Sequence, residues 1–274
     1  MGKSYKDFLL VSDMDGTLIG TDGKVPQKNK DAIADFVAGG GRFAIATGRT
    51  PSNGEQFFAG VAVNSPCIFY NGAMLYDWQA KKTLKTCALA GDIWRRFAAA
   101  CLRDFPMACI EVYTEDDCCI LSDPAQDDPR LAYEFHQYSH VQLEDIVDAV
   151  WLKFFVCAPR PVLEMVQQAA AEAGIAALST SFYSSPVYLE FVDRGVSKGD
   201  MLEVLRRLPE NAGRYVVAAG DFPNDNEMLR HADCGIAPAN AEPETRAAAD
   251  RIGVSCDEGL WHHIIYDVLP ELRL

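Results

Sequence analysis

Two aspartates separated by a single residue, Asp13 and Asp15, stand where the apolar run 8–11 stops, in Val11-Ser12-Asp13-Met14-Asp15-Gly16-Thr17-Leu18. Two carboxylates held this close repel each other, so either one is protonated or a cation lies between them. A divalent metal is the simpler answer. Taken alone the pair could also be an ordinary surface turn, since Asp and Gly are turn residues. A calcium EF-hand loop does not fit: counted from Asp13, the sixth position is Leu18 where Gly is needed and the twelfth is Lys24 where Glu is needed.

A second apolar run ends in acid, residues 215–219 leading into Gly220-Asp221-Phe222-Pro223-Asn224-Asp225. If this run lies beside the first, Asp221 and Asp225 face Asp13 and Asp15 across the carboxyl edge of a sheet, where open α/β sheets keep their ligands. Four carboxylates in one crevice point to a metal. Magnesium fits best, because it prefers oxygen and is content with two or three carboxylates while it holds waters and a phosphate. Lys198, in Gly195-Val196-Ser197-Lys198-Gly199-Asp200, opens a predicted helix, where free N–H groups and the dipole already favour an anion. Thr47-Gly48-Arg49 closes another apolar run, 42–46. Singly, Lys198 also reads as a solvated surface lysine and Thr47 as a helix N-cap.

The elements that must position these groups follow from periodicity. Residues 26–38 read as a helix, with Ile33, Phe36 and Val37 on one face and Gly39-Gly40-Gly41 as its stop. Strand 42–46, helix 51–59 and strand 67–70 continue a rhythm that predicts a parallel sheet. Asn71-Gly72 before residues 73–76 is a hairpin signal. The rhythm then changes to helix 91–103, strands 108–113 and 118–121, a polar loop 123–128, helix 129–138, strand 151–157, helix 161–173 and strands 176–182 and 187–192. From Gly195 it returns: helix 198–208, strand 215–219, helix 224–232 and short strands 234–237 and 251–254. The fold class expected is α/β, a Rossmann-like parallel core of residues 1–82 and 191–274, with residues 83–190 inserted as a separate α+β domain.

The order of the motifs is specific: Asp-x-Asp-Gly-Thr, then Thr-Gly-Arg, then a lysine after the insertion, then Gly-Asp-x-x-Asn-Asp. The set resembles the haloacid dehalogenase superfamily of magnesium-dependent aspartyl-phosphate phosphatases, in its type II, Cof-like branch. The resemblance implies an HAD-like core with a C2-type cap. It makes Asp13 the nucleophile, Asp15 the acid and base, Thr47 a phosphoryl hydrogen-bonder, and Lys198 the group that holds phosphoryl charge and orients Asp13. It assigns magnesium to Asp13, the Asp15 carbonyl and Asp221 with Asp225 in support, and places Gly48, Arg49, Asn71 and Asn224 at phosphate- or substrate-touching positions. One departure stands out. Where such proteins commonly read Ala-Met-Gly-Asn-Ala, this chain has Ala237-Pro238-Ala239-Asn240-Ala241, a rigid proline and no glycine.

Composition bounds the partners. At 274 residues and 49% hydrophobic content the chain can bury a real core in one large domain or two. No apolar run reaches the ~18 residues of a membrane span and residues 1–7 carry no signal-peptide apolar region, so a cytoplasmic location without a membrane partner is expected. Nine cysteines without a Cys-x-x-Cys spacing read as reduced thiols. The adjacent pairs Cys118-Cys119 and His262-His263 diverge on a strand or helix and make no zinc chelate. A net charge of −14 without a concentrated basic patch argues against nucleic acid. A small anionic ligand stays compatible, because a metal and a few cations can dominate one cleft. The expected activity is hydrolysis of a small phosphorylated metabolite, a sugar phosphate first, with an insertion that would close over the crevice and in which Glu111, Tyr113 and Tyr188 are candidate contacts. A phosphomutase of the phosphomannomutase type is the enzymatic alternative, and a non-catalytic sensor of phosphorylated metabolites the other.

Overall fold

The computed structural model describes residues 4–55, 59–115, 118–132 and 138–272. β1 (Phe8–Ser12) is buried along its whole length, as its unbroken apolar run requires of a strand covered on both faces. α1 (Gln27–Ala38) turns Ala32, Ile33 and Phe36 inward, and β2 (Arg42–Ile45) follows. α2 (Pro51–Glu55) is shorter than the predicted helix 51–59, of which residues 56–58 lie outside the described residues. Its cap is Thr50, whose hydroxyl accepts from the Asn53 N–H at 2.9 Å. Thr47 is therefore not the N-cap.

β3 (Cys67–Phe69), β4 (Met74–Asp77) and β5 (Lys82–Thr86) form a three-stranded sheet of their own. β3 and β4 pair antiparallel through a turn in which Tyr70 and Asn71 take φ of 52° and 55°, so the predicted hairpin forms. The expectation that β3 extends the parallel sheet is corrected: it touches β2 through a single bridge, Ala46 with Ile68. Asn64 is the physical reason. Its side chain accepts from the Phe43 N–H at 2.8 Å and donates to the Gly41 carbonyl at 2.9 Å, occupying the edge of β2 that a longer ladder would use.

The chain divides into two compact units, Met1–Lys85 with Ser197–Leu274, and Thr86–Val196. The second boundary falls beyond the residue 190 read from the sequence because the last strand of the inserted unit pairs as far as Asp193. That unit comprises α3 (Asp92–Asp104), β6 (Cys109–Thr114), β7 (Cys118–Ile120), β8 (Ser139–His140), β9 (Trp151–Cys157), α4 (Arg160–Glu172), β10 (Ser179–Ser185) and β11 (Tyr188–Asp193). The strands lie in the order β10-β11-β9-β6-β7-β8, antiparallel except for β7 with β8. Alternation with a period of two sends Val112, Phe154 and Phe191 into one hydrophobic cluster with Trp94 and Phe97 of α3 and Leu163 of α4.

The alternate positions of these strands carry a buried ionic network. Glu111 accepts from the Tyr113 hydroxyl at 2.6 Å and lies 3.5 Å from Arg130. Lys153 pairs with Glu190 at 3.1 Å, and the Tyr188 hydroxyl donates to Asp128 at 3.3 Å. Burial raises the Glu111 carboxyl above the usual range against the pull of Arg130. The candidate contacts Glu111, Tyr113 and Tyr188 are thus satisfied inside this unit. The helix predicted over 129–138 is a 3-10 turn, Pro129–Ala132, with residues 133–137 outside the described residues and Tyr138 in an irregular stretch. Asp128 explains the turn: its carboxylate accepts from both the backbone N–H and the guanidinium of Arg130.

The first unit resumes with α5 (Lys198–Leu205), β12 (Tyr215–Ala219), α6 (Asn226–His231), β13 (Cys234–Ala237), α7 (Pro243–Ala248), β14 (Arg251–Ile252) and α8 (Leu260–His263). Its main sheet runs β14-β13-β12-β1-β2 with every described pairing parallel. β1 lies between β12 and β2, with Ser12 opposite Ala219 on one side and Ile45 on the other. The ends of β12 and β2 therefore deliver their loops to the two sides of Asp13. Among the described residues no helix is long and apolar enough to cross a membrane.

α5 crosses α6 so closely that a Cβ at Gly199 would stand 2.7 Å from the Glu227 backbone carbon. Gly199→Ala must therefore push the helices apart, and is expected to cost about 1–3 kcal/mol in denaturant unfolding. An unchanged unfolding midpoint would show that the helices can separate freely.

Candidate active site

Lys198 is the first residue of α5, whose N-cap Ser197 accepts from the Asp200 N–H at 3.0 Å. This start turns the lysine side chain inward instead of along the surface. Only 1% exposed, its ammonium donates to Asp13 Oδ1 at 2.5 Å and to Asp225 Oδ1 at 2.6 Å. The solvated-lysine reading is excluded. Burial pulls the Lys198 pKa down, but the Asp13 and Asp225 charges outweigh it and hold the group cationic, with its pKa raised.

Asp225 ends a 3-10 turn, Pro223–Asp225, that delays the helix predicted from 224. Its second oxygen accepts from the Asp221 and Phe222 N–H groups at 3.1 and 3.2 Å, which folds the loop after β12 back on itself. Asp221 then accepts from the Thr17 hydroxyl at 3.1 Å. Gly16 lies hard against Asp221, so close that any Cβ there would collide with its carboxylate, and its φ of +77° favours glycine as well.

Asp13, Asp221 and Asp225 each offer an oxygen within 4.8 Å of the others. Burial first, then the Asp225 charge, raises the Asp13 carboxyl well above the usual range, against Lys198. The same two causes lift Asp221 from 3.8 to about 6. Three carboxylates against one ammonium leave a deficit of positive charge. The oxygen-only donor set and this deficit fit a hard divalent cation such as magnesium.

Asp15 faces elsewhere. Its carboxylate is largely exposed and takes a two-pronged contact from Arg49, Nε and Nη2 each at 2.9 Å. The expectation that four carboxylates gather in one crevice is corrected to three, because Arg49 comes from the β2 side of β1 and draws Asp15 away from the loop after β12. Thr47, at that same strand end, is 1% exposed and its hydroxyl accepts from the Arg49 N–H at 3.2 Å. Gly48 passes so near Asn71 that a Cβ would stand 2.9 Å from its amide nitrogen. Asn71 in turn accepts from the Asn224 side chain at 3.1 Å, which joins the loops after β3 and β12. The residues picked out in the core thus lie on loops, and at one helix start, at the carboxyl edge of the sheet.

Residues 10–264 match the sequence model of the haloacid dehalogenase-like hydrolases. The chain belongs to that family. It is 27% identical to the chloroplastic endoribonuclease YBEY of Arabidopsis thaliana over 91% of its own length, but spans only 44% of that protein. Against the 5-amino-6-(5-phospho-D-ribitylamino)uracil phosphatase YitU of Bacillus subtilis it is 22% identical over 92% of this chain and 94% of that one. Its fold overlays a haloacid dehalogenase-like hydrolase from Bacteroides thetaiotaomicron with a TM-score of 0.82, at 25% identity over 95% and 98% of the two chains. As a member of the type II, Cof-like branch, the chain is a phosphatase-type hydrolase.

Several groups that build this haloacid dehalogenase-like site escaped the sequence reading. Thr17 and Gly16 stood inside the quoted motif, and their closeness to Asp221 could have been read once β12 was set beside β1. Asn240 keeps a task despite the Pro238 departure: it donates to the Gly16 carbonyl at 2.8 Å and accepts from the Cys256 N–H at 2.9 Å.

Because the folded Asp221 pKa of about 6 lies above its ordinary 3.8, the folded state binds more protons than the unfolded one between those values. Metal-free stability accordingly falls as pH rises through that window. Asp221→Asn removes the effect, so above pH 6 in chelator-treated buffer the variant should melt at a higher temperature than wild type, with the two converging below 3.8. Added magnesium should raise the wild-type melting temperature and move the variant less. A variant less stable at every pH, or an equal magnesium shift in both proteins, would contradict this account of the cluster.

Proposed function

We propose that this chain is a magnesium-dependent phosphatase that hydrolyses a small phosphorylated metabolite, a sugar phosphate in the first instance, through an aspartyl-phosphate on Asp13. The observation that carries the reading is the buried Lys198 ammonium, 2.5 Å from Asp13, beside two further carboxylates. A lysine so placed holds Asp13 in one orientation and leaves a cation ready for the oxygens of an incoming phosphoryl group.

In the first half-reaction an Asp13 carboxylate oxygen attacks phosphorus while the ester P–O bond breaks, and the departing alkoxide takes a proton from Asp15. In the second half Asp15 removes a proton from water, whose oxygen attacks the aspartyl-phosphate, releasing phosphate and regenerating Asp13. Arg49 donates to both Asp15 carboxylate oxygens, from Nε and from Nη2. That contact has to open before an Asp15 oxygen can reach the leaving group or the water, and the Thr47 hydroxyl and Arg49 are then the groups at hand for phosphate oxygens. Asp13, the Asp15 carbonyl and Asp221, with Asp225 in support, would hold magnesium, which would neutralise phosphoryl charge. Gly48, Asn71 and Asn224 border the substrate, and the inserted unit is the cap, of C2 type, that selects the metabolite. The ribityl phosphate in the name of the Bacillus subtilis relative supports a polyol- or sugar-phosphate ligand.

Phosphate release from an aryl phosphate and a panel of sugar phosphates tests the reading. Wild type with magnesium should turn over, chelation should abolish the reaction, and Asp13→Asn should lower kcat by more than about a thousandfold. A wild type inert across the panel would overturn the phosphatase reading. Turnover that survives Asp13→Asn would reject the nucleophile, and isomerised sugar phosphate without net phosphate release would point to a mutase.

A further inference from the structure

Several side-chain hydrogen bonds tie the last part of the chain to β1, to α1 and to the loop between them. Asn240 donates to the Gly16 carbonyl at 2.8 Å. Asp257 accepts from the Thr21 N–H and hydroxyl at 2.8 and 2.9 Å, and Asn29 accepts from the His262 N–H at 3.0 Å. One contact differs because it ends beside Asp13: the indole Nε1 of Trp261 donates to Ser12 Oγ at 2.6 Å.

The direction of that bond is forced. An indole nitrogen can only donate, so Ser12 Oγ accepts, and its single hydrogen is left for another acceptor. That acceptor is the Asp13 carbonyl, 2.6 Å away. On its other side the Asp13 N–H donates to the Ala219 carbonyl at 2.9 Å. The backbone of Asp13 is therefore held at both ends, one of them through a chain of two hydrogen bonds that starts in α8. Neither Ser12 nor Trp261 is exposed to solvent, so water does not compete for these bonds. The indole also packs edge-on against Phe43 of β2, centroids 5.2 Å apart, which fixes the direction of its N–H.

We propose that Trp261 is a positioning residue for phosphoryl transfer, acting through the Ser12 hydroxyl to set the peptide plane of Asp13. The inference rests on Asp13 being the nucleophile. In-line attack tolerates little misplacement, and a shift of about 1 Å costs on the order of a hundredfold in rate. Without the indole donor the Ser12 oxygen is buried with an unmet lone pair and its hydrogen is no longer directed at the Asp13 carbonyl.

Trp261→Phe keeps a ring against Phe43 and removes only the donor, Ser12→Ala removes the relay, and Ser12→Thr keeps a hydroxyl. Steady-state kinetics on an aryl phosphate with magnesium should show Trp261→Phe and Ser12→Ala each lowering kcat about tenfold with KM within about twofold. The double variant should be no slower than Ser12→Ala, and Ser12→Thr should recover most of the loss. A Trp261→Phe enzyme with wild-type kcat, single losses that multiply in the double variant, or a change confined to melting temperature or KM would overturn the proposal. If Trp261→Phe does not fold, Ser12→Ala against Ser12→Thr reads the same relay, and wild-type kcat in Ser12→Ala overturns it. Turnover surviving in Asp13→Asn defeats the nucleophile reading. An unaffected Trp261→Phe in an enzyme that Asp13→Asn does inactivate defeats this inference alone.

Discussion

Everything at the carboxyl edge of the sheet depends on one ammonium taken out of water. Lys198 could not be buried without the two carboxylates it bridges, and Asp13 and Asp225 could not be packed so near Asp221 without it. Removing Lys198 from this set costs about 3–5 kcal/mol, because the carboxylates are left as uncompensated buried charges. The constraint reaches outward through the backbone. Asp225 is placed by a turn that binds its own loop, and Lys198 by a serine-capped helix start that needs a glycine next to it to approach α6. The charge arrangement and the helix packing are therefore one requirement seen at two scales.

The position of β1 between β12 and β2 divides the work of the first motif. Asp13 looks towards β12 and meets acid and lysine, whereas Asp15 looks towards β2 and meets arginine. Two identical side chains, two residues apart, acquire different electrostatic surroundings from different strands. The roles proposed for the two, nucleophile and proton carrier, call for opposite treatment, and a strand with parallel neighbours on both sides can provide it without any special geometry of its own.

Most of the first unit was legible because its information is local. Unbroken apolar runs announced β1, β2 and β12, and the polar residues that end them are the ones at the site. What was not legible depended on partners far away in the chain. The Asp15 contact with Arg49 required knowing which strand lies on which side of β1. The failure of β3 to extend the sheet turned on one asparagine, Asn64, bonding to backbone that a strand would have used. Thr50 rather than Thr47 caps α2, a difference of three residues that propensity does not resolve. In the inserted unit, strand alternation marked one face as apolar, but the ionic pairing on the other face and the turn it imposes at 129–132 belong to tertiary structure. Trp261 carried no motif at all, since its meaning lies in an atom of Ser12.

The sequence separations of these bonds bear on how the protein comes into being. Asp13 meets Lys198 across 185 positions, and Ser12 meets Trp261 across 249. Closing loops of that length is an entropic hurdle that local structure cannot lower. During synthesis β1 emerges before its partners: the lysine that neutralises its aspartate is made only after the whole inserted unit, and the indole that steadies it later still. The carboxylate loop after β1 is therefore made well before the lysine and the indole that complete its surroundings.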